Sequence, residues 1–101
     1  MFVVSMTMTG QMDKAKAHMA GHNAWVKQGV DDGVFVLVGN LKPGPGGCLF
    51  AVNVDREALD VRIATDPFVS EGIVAVEVTE TVIHTRQKFA IFGREIVWQI
   101  R

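Results

Sequence analysis

A single cysteine, Cys48, stands in a chain of 101 residues. No internal disulfide can form, which fits a reducing compartment. Ten Lys+Arg set against eleven Asp+Glu leave a formal charge of -1. There is no basic stripe and no aromatic-plus-arginine pattern, so nucleic-acid binding has little support. The apolar runs fall far short of the ~20 residues a spanning helix needs, and no membrane segment is expected. Met1-Phe2-Val3-Val4 has neither the positive n-region nor the cleavage site of a signal peptide. The expected location is cytoplasmic. The Gly/Pro-rich stretch from Gly39 to Gly47 lacks the G-K-[ST] ending of a phosphate loop, and it joins two strands where such a loop would open a helix. Ser5 has no nucleophile-elbow context and Cys48 sits mid-strand without an activating base, so nucleophilic catalysis is not expected. No internal repeat or low-complexity segment is present. What the chain does have is 49% hydrophobic residues, enough for a globular domain with one core, small enough that a dimer would help it.

The periodicity changes along the chain in a readable order. Phe2, Val4, Met6 and Met8 alternate with Val3, Ser5, Thr7 and Thr9, which predicts a strand broken by Gly10. From about Gln11 to Val30 the apolar residues Met12, Ala15, Met19, Val26 and Val30 follow a helical period, and His22 fills the gap in that series. Gly21 and Gly29 weaken this helix slightly. Asp31-Asp32-Gly33 signals a turn. Val34 to Val38 and Cys48 to Val54 read as a hairpin with a long tip. Asp55 is a helix N-cap candidate with Glu57 in the first turn, and Leu59, Ile63 and Ala64 supply the apolar side. The helix should stop at Thr65, because Pro67 pushes Asp66 into an extended conformation. After Gly72, Ile73 to Ile83 alternates as a last strand. The order β-α-β-β-α-β is α+β and ferredoxin-like. Residues 1–84 form this domain, and 85–101 a C-terminal extension too apolar to be free, expected to pack on a sheet edge or a partner subunit.

Two residues stand out chemically. His22 lies on the apolar stripe, so it is either a core histidine with one satisfied hydrogen bond or a general acid/base whose other ring nitrogen meets a carboxylate. Asp66, fixed before a proline, either caps nearby N–H groups or orients that imidazole. His18 and His22, four apart, have the spacing of two metal ligands. Without an adjacent Glu the signal is weak, Cys48, Asp66 or His84 would have to complete the set, and no metal is expected. Trp25, Phe68 and Trp98 are candidates for an aromatic pocket, or for core and interface.

Several of these residues together resemble the YciI-like (YCII-related) family. They are Met1-Phe2-Val3-Val4, the helix carrying Gly21-His22-Asn23-Ala24-Trp25-Val26, Gly33, Gly39, Gly46-Gly47 and Asp66-Pro67-Phe68-Val69-x-x-Gly72. The resemblance spans residues 1 to about 83. It implies a ferredoxin-like fold paired into a dimeric α/β barrel, and a His–Asp pair in a small cleft, here His22 and Asp66. It also implies cofactor-free elimination on a small hydroxylated, chlorinated aromatic ring. Trp25, Phe68, Ser5 and Asn40 are the expected pocket residues. Asn40 follows Gly39 where many relatives have Pro or Ser, and the tail after Ile83 has no familiar counterpart.

The expectation is therefore a cofactor-free, lyase-type enzyme for a small-molecule ligand, acting as a homodimer. A non-catalytic binding or assembly module is one alternative, and a cofactor-free oxygenase of the same barrel architecture another. A catalytic His22 should reach a pocket, whereas a structural one should be sealed among Met12, Met19 and Val26.

Overall fold

The computed structural model describes residues 1–84 and the backbone of 87–91 and 94–98. Strand β1 (Phe2–Met8) leads into helix α1 (Met12–Asp31), then strands β2 (Phe35–Asn40) and β3 (Gly46–Ala51). Helix α2 (Arg56–Ala64), the single turn α3 (Pro67–Ser70) and strand β4 (Val74–Glu80) complete the domain. The sheet order is β2-β3-β1-β4, with every neighbour antiparallel. This is the ferredoxin-like arrangement, with β1 at the centre.

Alternation decides which face of the sheet is covered. Phe2, Val4 and Met6 of β1 are buried together with Leu49 and Ala51 of β3, against Leu59, Ile63 and Phe68 from the helical layer. Leu59, Ile73 and Val4 have no exposed surface, and each such burial contributes roughly 1.5–3 kcal/mol. Ser5 lies on the opposite face, between Cys48 and Glu77 on the flanking strands.

The local boundaries differ from the sequence reading where glycine and proline are involved. The hairpin strands extend to Asn40 and begin at Gly46, not at Val38 and Cys48, because pairing continues through Gly39↔Cys48 and Asn40↔Gly47. Gly46 adopts φ +151 against the Met6 carbonyl, where any Cβ would collide. The chain after α2 does not simply stop. Thr65 is the C-cap of α2, and Asp66 (φ -68, ψ 124) becomes the N-cap of α3 with Pro67 in its first turn, a position proline favours. The glycines of α1 are packing positions. A Cβ on Gly29 would enter the Phe35 ring, and one on Gly21 would come within 3.1 Å of Pro67 Cγ.

The apolar stripe of α1 is only partly covered. Ala15 and Gly29 are buried, whereas Met12 and Met19 are 53% and 43% exposed. Both border an opening between α1 and the sheet. Strands β5 (Gln87–Ile91) and β6 (Arg94–Trp98) pair with each other as a separate two-stranded sheet. The side chains of the extension, Trp98 included, lie outside the described residues. Among the described residues no helix is long and apolar enough to cross a membrane.

Candidate functional site

Asp66 is the one ionisable side chain buried among the described residues, with no exposed surface. A carboxylate out of water requires partners, since leaving it unpaired would cost several kcal/mol. It has two. Oδ1 accepts the backbone N–H of Phe68 at 3.0 Å, which caps α3. Oδ1 and Oδ2 lie 2.9 and 3.0 Å from His22 Nδ1. The capping role and the imidazole-orienting role, alternatives in the sequence, are thus filled by one group. A carboxylate offers only acceptors, so Nδ1 of His22 carries the hydrogen and Nε2 of the neutral ring keeps its lone pair.

The imidazole is held on its faces as well as its edge. The ring stacks on Phe68 with centroids 4.0 Å apart and planes 5° from parallel. Trp25 lies one helical turn on, 6.1 Å from the imidazole. Its indole N–H donates to the Arg62 carbonyl at 2.9 Å, and its ring packs on Phe35 at 5.0 Å. Trp25 therefore ties α1 to α2 behind the histidine.

His22 opens on a cleft between α1 and the β2–β3 end of the sheet. The larger lobe, about 320 Å³, is bordered by Met6, Met8, Met12, Met19, Phe68 and Val74, with His22, Asn23 and Asn40. A smaller lobe of about 180 Å³ reaches Val26, Val38 and Cys48 and shares His22, Asn23, Asn40 and Gly47 with the first. The His22 side chain is 18% exposed, so it is not sealed by its methionine neighbours. The space has a backbone origin. Asn40, Gly47, Met6 and Val76 form one row across the sheet, and Gly47 contributes no side chain to it.

The residues anticipated for the pocket divide. Phe68 and Asn40 border the cleft. Ser5 does not, because strand alternation puts its side chain on the other face of the sheet from Met6. Trp25 is a buttress behind His22 and not part of the lining. His18 is turned to Glu71, 3.9 Å from its carboxylate, and among the described residues no group of three His, Cys, Asp or Glu could hold a metal ion. Sequence reasoning overlooked Asn23, Met6, Met8 and Gly47. Asn23 had a signal in its position beside His22, while Gly47 becomes legible only through strand register.

No curated protein matches the chain. Among solved structures, it is similar to the 5-chloro-2-hydroxyhydroquinone dehydrochlorinase from Burkholderia phenoliruptrix AC1100, in complex with 2,5-dihydroxybenzoquinone. The TM-score is 0.66 at 16% identity, covering 83% of this chain and 96% of that one. At that identity the likeness speaks to fold, in agreement with the ferredoxin-like topology. The YCII-related domain model matches residues 1–82, which takes in the sheet, the helices, His22 and Asp66, and the chain belongs to the YCII-related family.

Proposed function

We propose that the cleft is the active site of a cofactor-free enzyme of the elimination type, with His22 as general acid/base and Asp66 as its orienting partner. The observation that carries this reading is the 2.9 Å contact between His22 Nδ1 and a fully buried carboxylate, with the same imidazole bordering an apolar cleft. Asp66 holds one tautomer and stabilises the imidazolium once it forms. Nε2 is then the base.

A hydroxylated, halogenated ring suits this equipment, and the similar dehydrochlorinase supports the class. His22 takes the proton of a ring hydroxyl, and the electron pair moves into the ring. The imidazolium returns that proton to the carbon bearing chlorine, leaving a ketone beside a tetrahedral C–H–Cl centre. Deprotonation of a second hydroxyl, conjugated with that centre, forms a second carbonyl as chloride departs with the C–Cl pair. The sum is loss of HCl and formation of a quinone, with no external oxidant or reductant. General acid–base catalysis supplies about 10²–10⁴-fold, which suffices for an electron-rich polyhydroxylated ring. In this reading the protein works as a homodimer, as the family's barrel architecture suggests.

The test is chloride release from 5-chloro-2-hydroxyhydroquinone, assayed anaerobically with the wild type, His22→Ala and Asp66→Asn. Rates should fall by about 10²–10⁴-fold in His22→Ala and substantially in Asp66→Asn. Binding without turnover in the wild type, unaffected by His22→Ala, would replace the enzyme with a binding module.

A further inference from the structure

The chemistry proposed above uses one polar corner of the cleft, and two side chains remain that it does not use. Asn23 and Asn40 border both lobes. They come from different elements, Asn23 from α1 directly after His22 and Asn40 from the last position of β2. The amide of Asn53 donates to the Gly33 carbonyl, but neither Asn23 nor Asn40 has a side-chain hydrogen bond within the described residues. Both are exposed to the opening. The large side chains that line the larger lobe beside His22 and these amides are thioether, aliphatic and aromatic, among them Met6, Met8, Met12, Met19, Phe68 and Val74. Such a lining favours a flat, polarisable ring, since methionine sulfur packs well against aromatic edges. A few well-placed polar groups in an apolar pocket fix orientation and specificity.

We propose that the carboxamides of Asn23 and Asn40 are a second polar pole of the cleft and select a ring carrying two oxygens, one at His22 and the other at the amides. This rests on the assignment of the cleft as the substrate site, and it deepens that assignment by naming the residues that read the second oxygen. A carboxamide both donates and accepts, so the pole can accept from a hydroxyl before reaction and donate to a carbonyl after it. That is what a hydroquinol-to-quinone conversion requires of a positioning group. Register explains why Asn40 can serve. Its partner across the strand is Gly47, whose missing side chain leaves the amide uncovered.

The experiment measures binding, so that it does not depend on turnover. Phenol and the three isomeric dihydroxybenzenes are titrated anaerobically by NMR against the wild type, Asn23→Ala, Asn40→Ala, His22→Ala and Gly47→Val. At least one dihydroxybenzene should bind the wild type more tightly than phenol. In one or both Asn variants that preference should shrink by about 3- to 10-fold, the worth of one hydrogen bond, while phenol affinity stays unchanged. His22→Ala should weaken phenol and the diol alike and keep their ratio. A Cβ on Gly47 meets only the Gly39 carbonyl at 3.5 Å, an ordinary contact, and Gly47→Val, with its fold checked by the dispersion of its own NMR spectrum, should abolish binding of every probe. The proposal is overturned if the diols bind no better than phenol, if the preference survives both Asn substitutions, or if Gly47→Val leaves binding intact. Catalysis can fail while the amide-dependent preference persists, which separates this inference from the enzymatic one.

Discussion

The starts of α2 and α3 are two copies of one local device used to different ends. Asp55 and Asp66 each sit in an extended conformation before a helical turn, and each accepts a backbone N–H from the first turn, Ala58 at 2.7 Å and Phe68 at 3.0 Å. Asp55 faces solvent, and among the described residues its side chain makes only that bond. Asp66 is buried and also holds His22. Capping geometry alone therefore does not distinguish a structural carboxylate from one available for chemistry. Burial and a second partner from a distant element are what set Asp66 apart from Asp55.

The comparison breaks first, if it breaks, on alanine. Asp66→Ala removes a buried acceptor shared by two donors and should destabilise the fold by about 3 kcal/mol. Asp55→Ala loses an exposed cap worth about 1 kcal/mol. Urea unfolding of both variants checks this, and equal losses would mean that Asp66 is only a cap. Asparagine sharpens the contrast. Asn caps as well as Asp, so Asp55→Asn should leave stability close to wild type. Asp66→Asn keeps the cap yet no longer demands the Nδ1–H tautomer. The imidazole ¹⁵N shifts of neutral His22 should then report a mixed or reversed tautomer, and an unchanged spectrum would detach the ring from the carboxylate.

The smallest effect belongs to a pair outside both regions. Lys27 donates to Asp31 at 2.7 Å on the exposed face of α1, and that hydrogen bond and charge raise its pKa above 10.5. Any stability from the pair is present in full below 10.5 and lost as pH rises through the higher folded value. The pair is exposed and screened, so Lys27→Ala should leave the Tm at neutral pH unchanged.

Much of this organisation is legible in the sequence because it rests on local rules. The alternation of Phe2, Val4 and Met6 sets the central strand, Asp55 marks a helix start, and the Asp-Pro step correctly ends α2 at Thr65. What the sequence hides depends on tertiary packing. Pro67 reads as a terminator, yet it also opens α3, since its fixed φ suits a first turn as much as it ends a helix. Gly29 reads as a weakness, whereas the Phe35 ring needs the space it leaves. Met12 and Met19 read as core because a period records which residues share a face, not whether anything covers that face. The family resemblance implies a pocket role for Ser5, although its alternation with Met6 puts it on the far side of the sheet. His22 and Asp66 were individually conspicuous, but their contact depends on how two helices dock.

That docking has a consequence in time. His22 and Asp66 are 44 residues apart, and the segment between them contains β2, β3 and α2. The pair cannot exist in a chain that has formed only its first strand and helix. It comes into being when the second half of the domain closes over the first, so any activity that depends on it should be a late reporter of refolding.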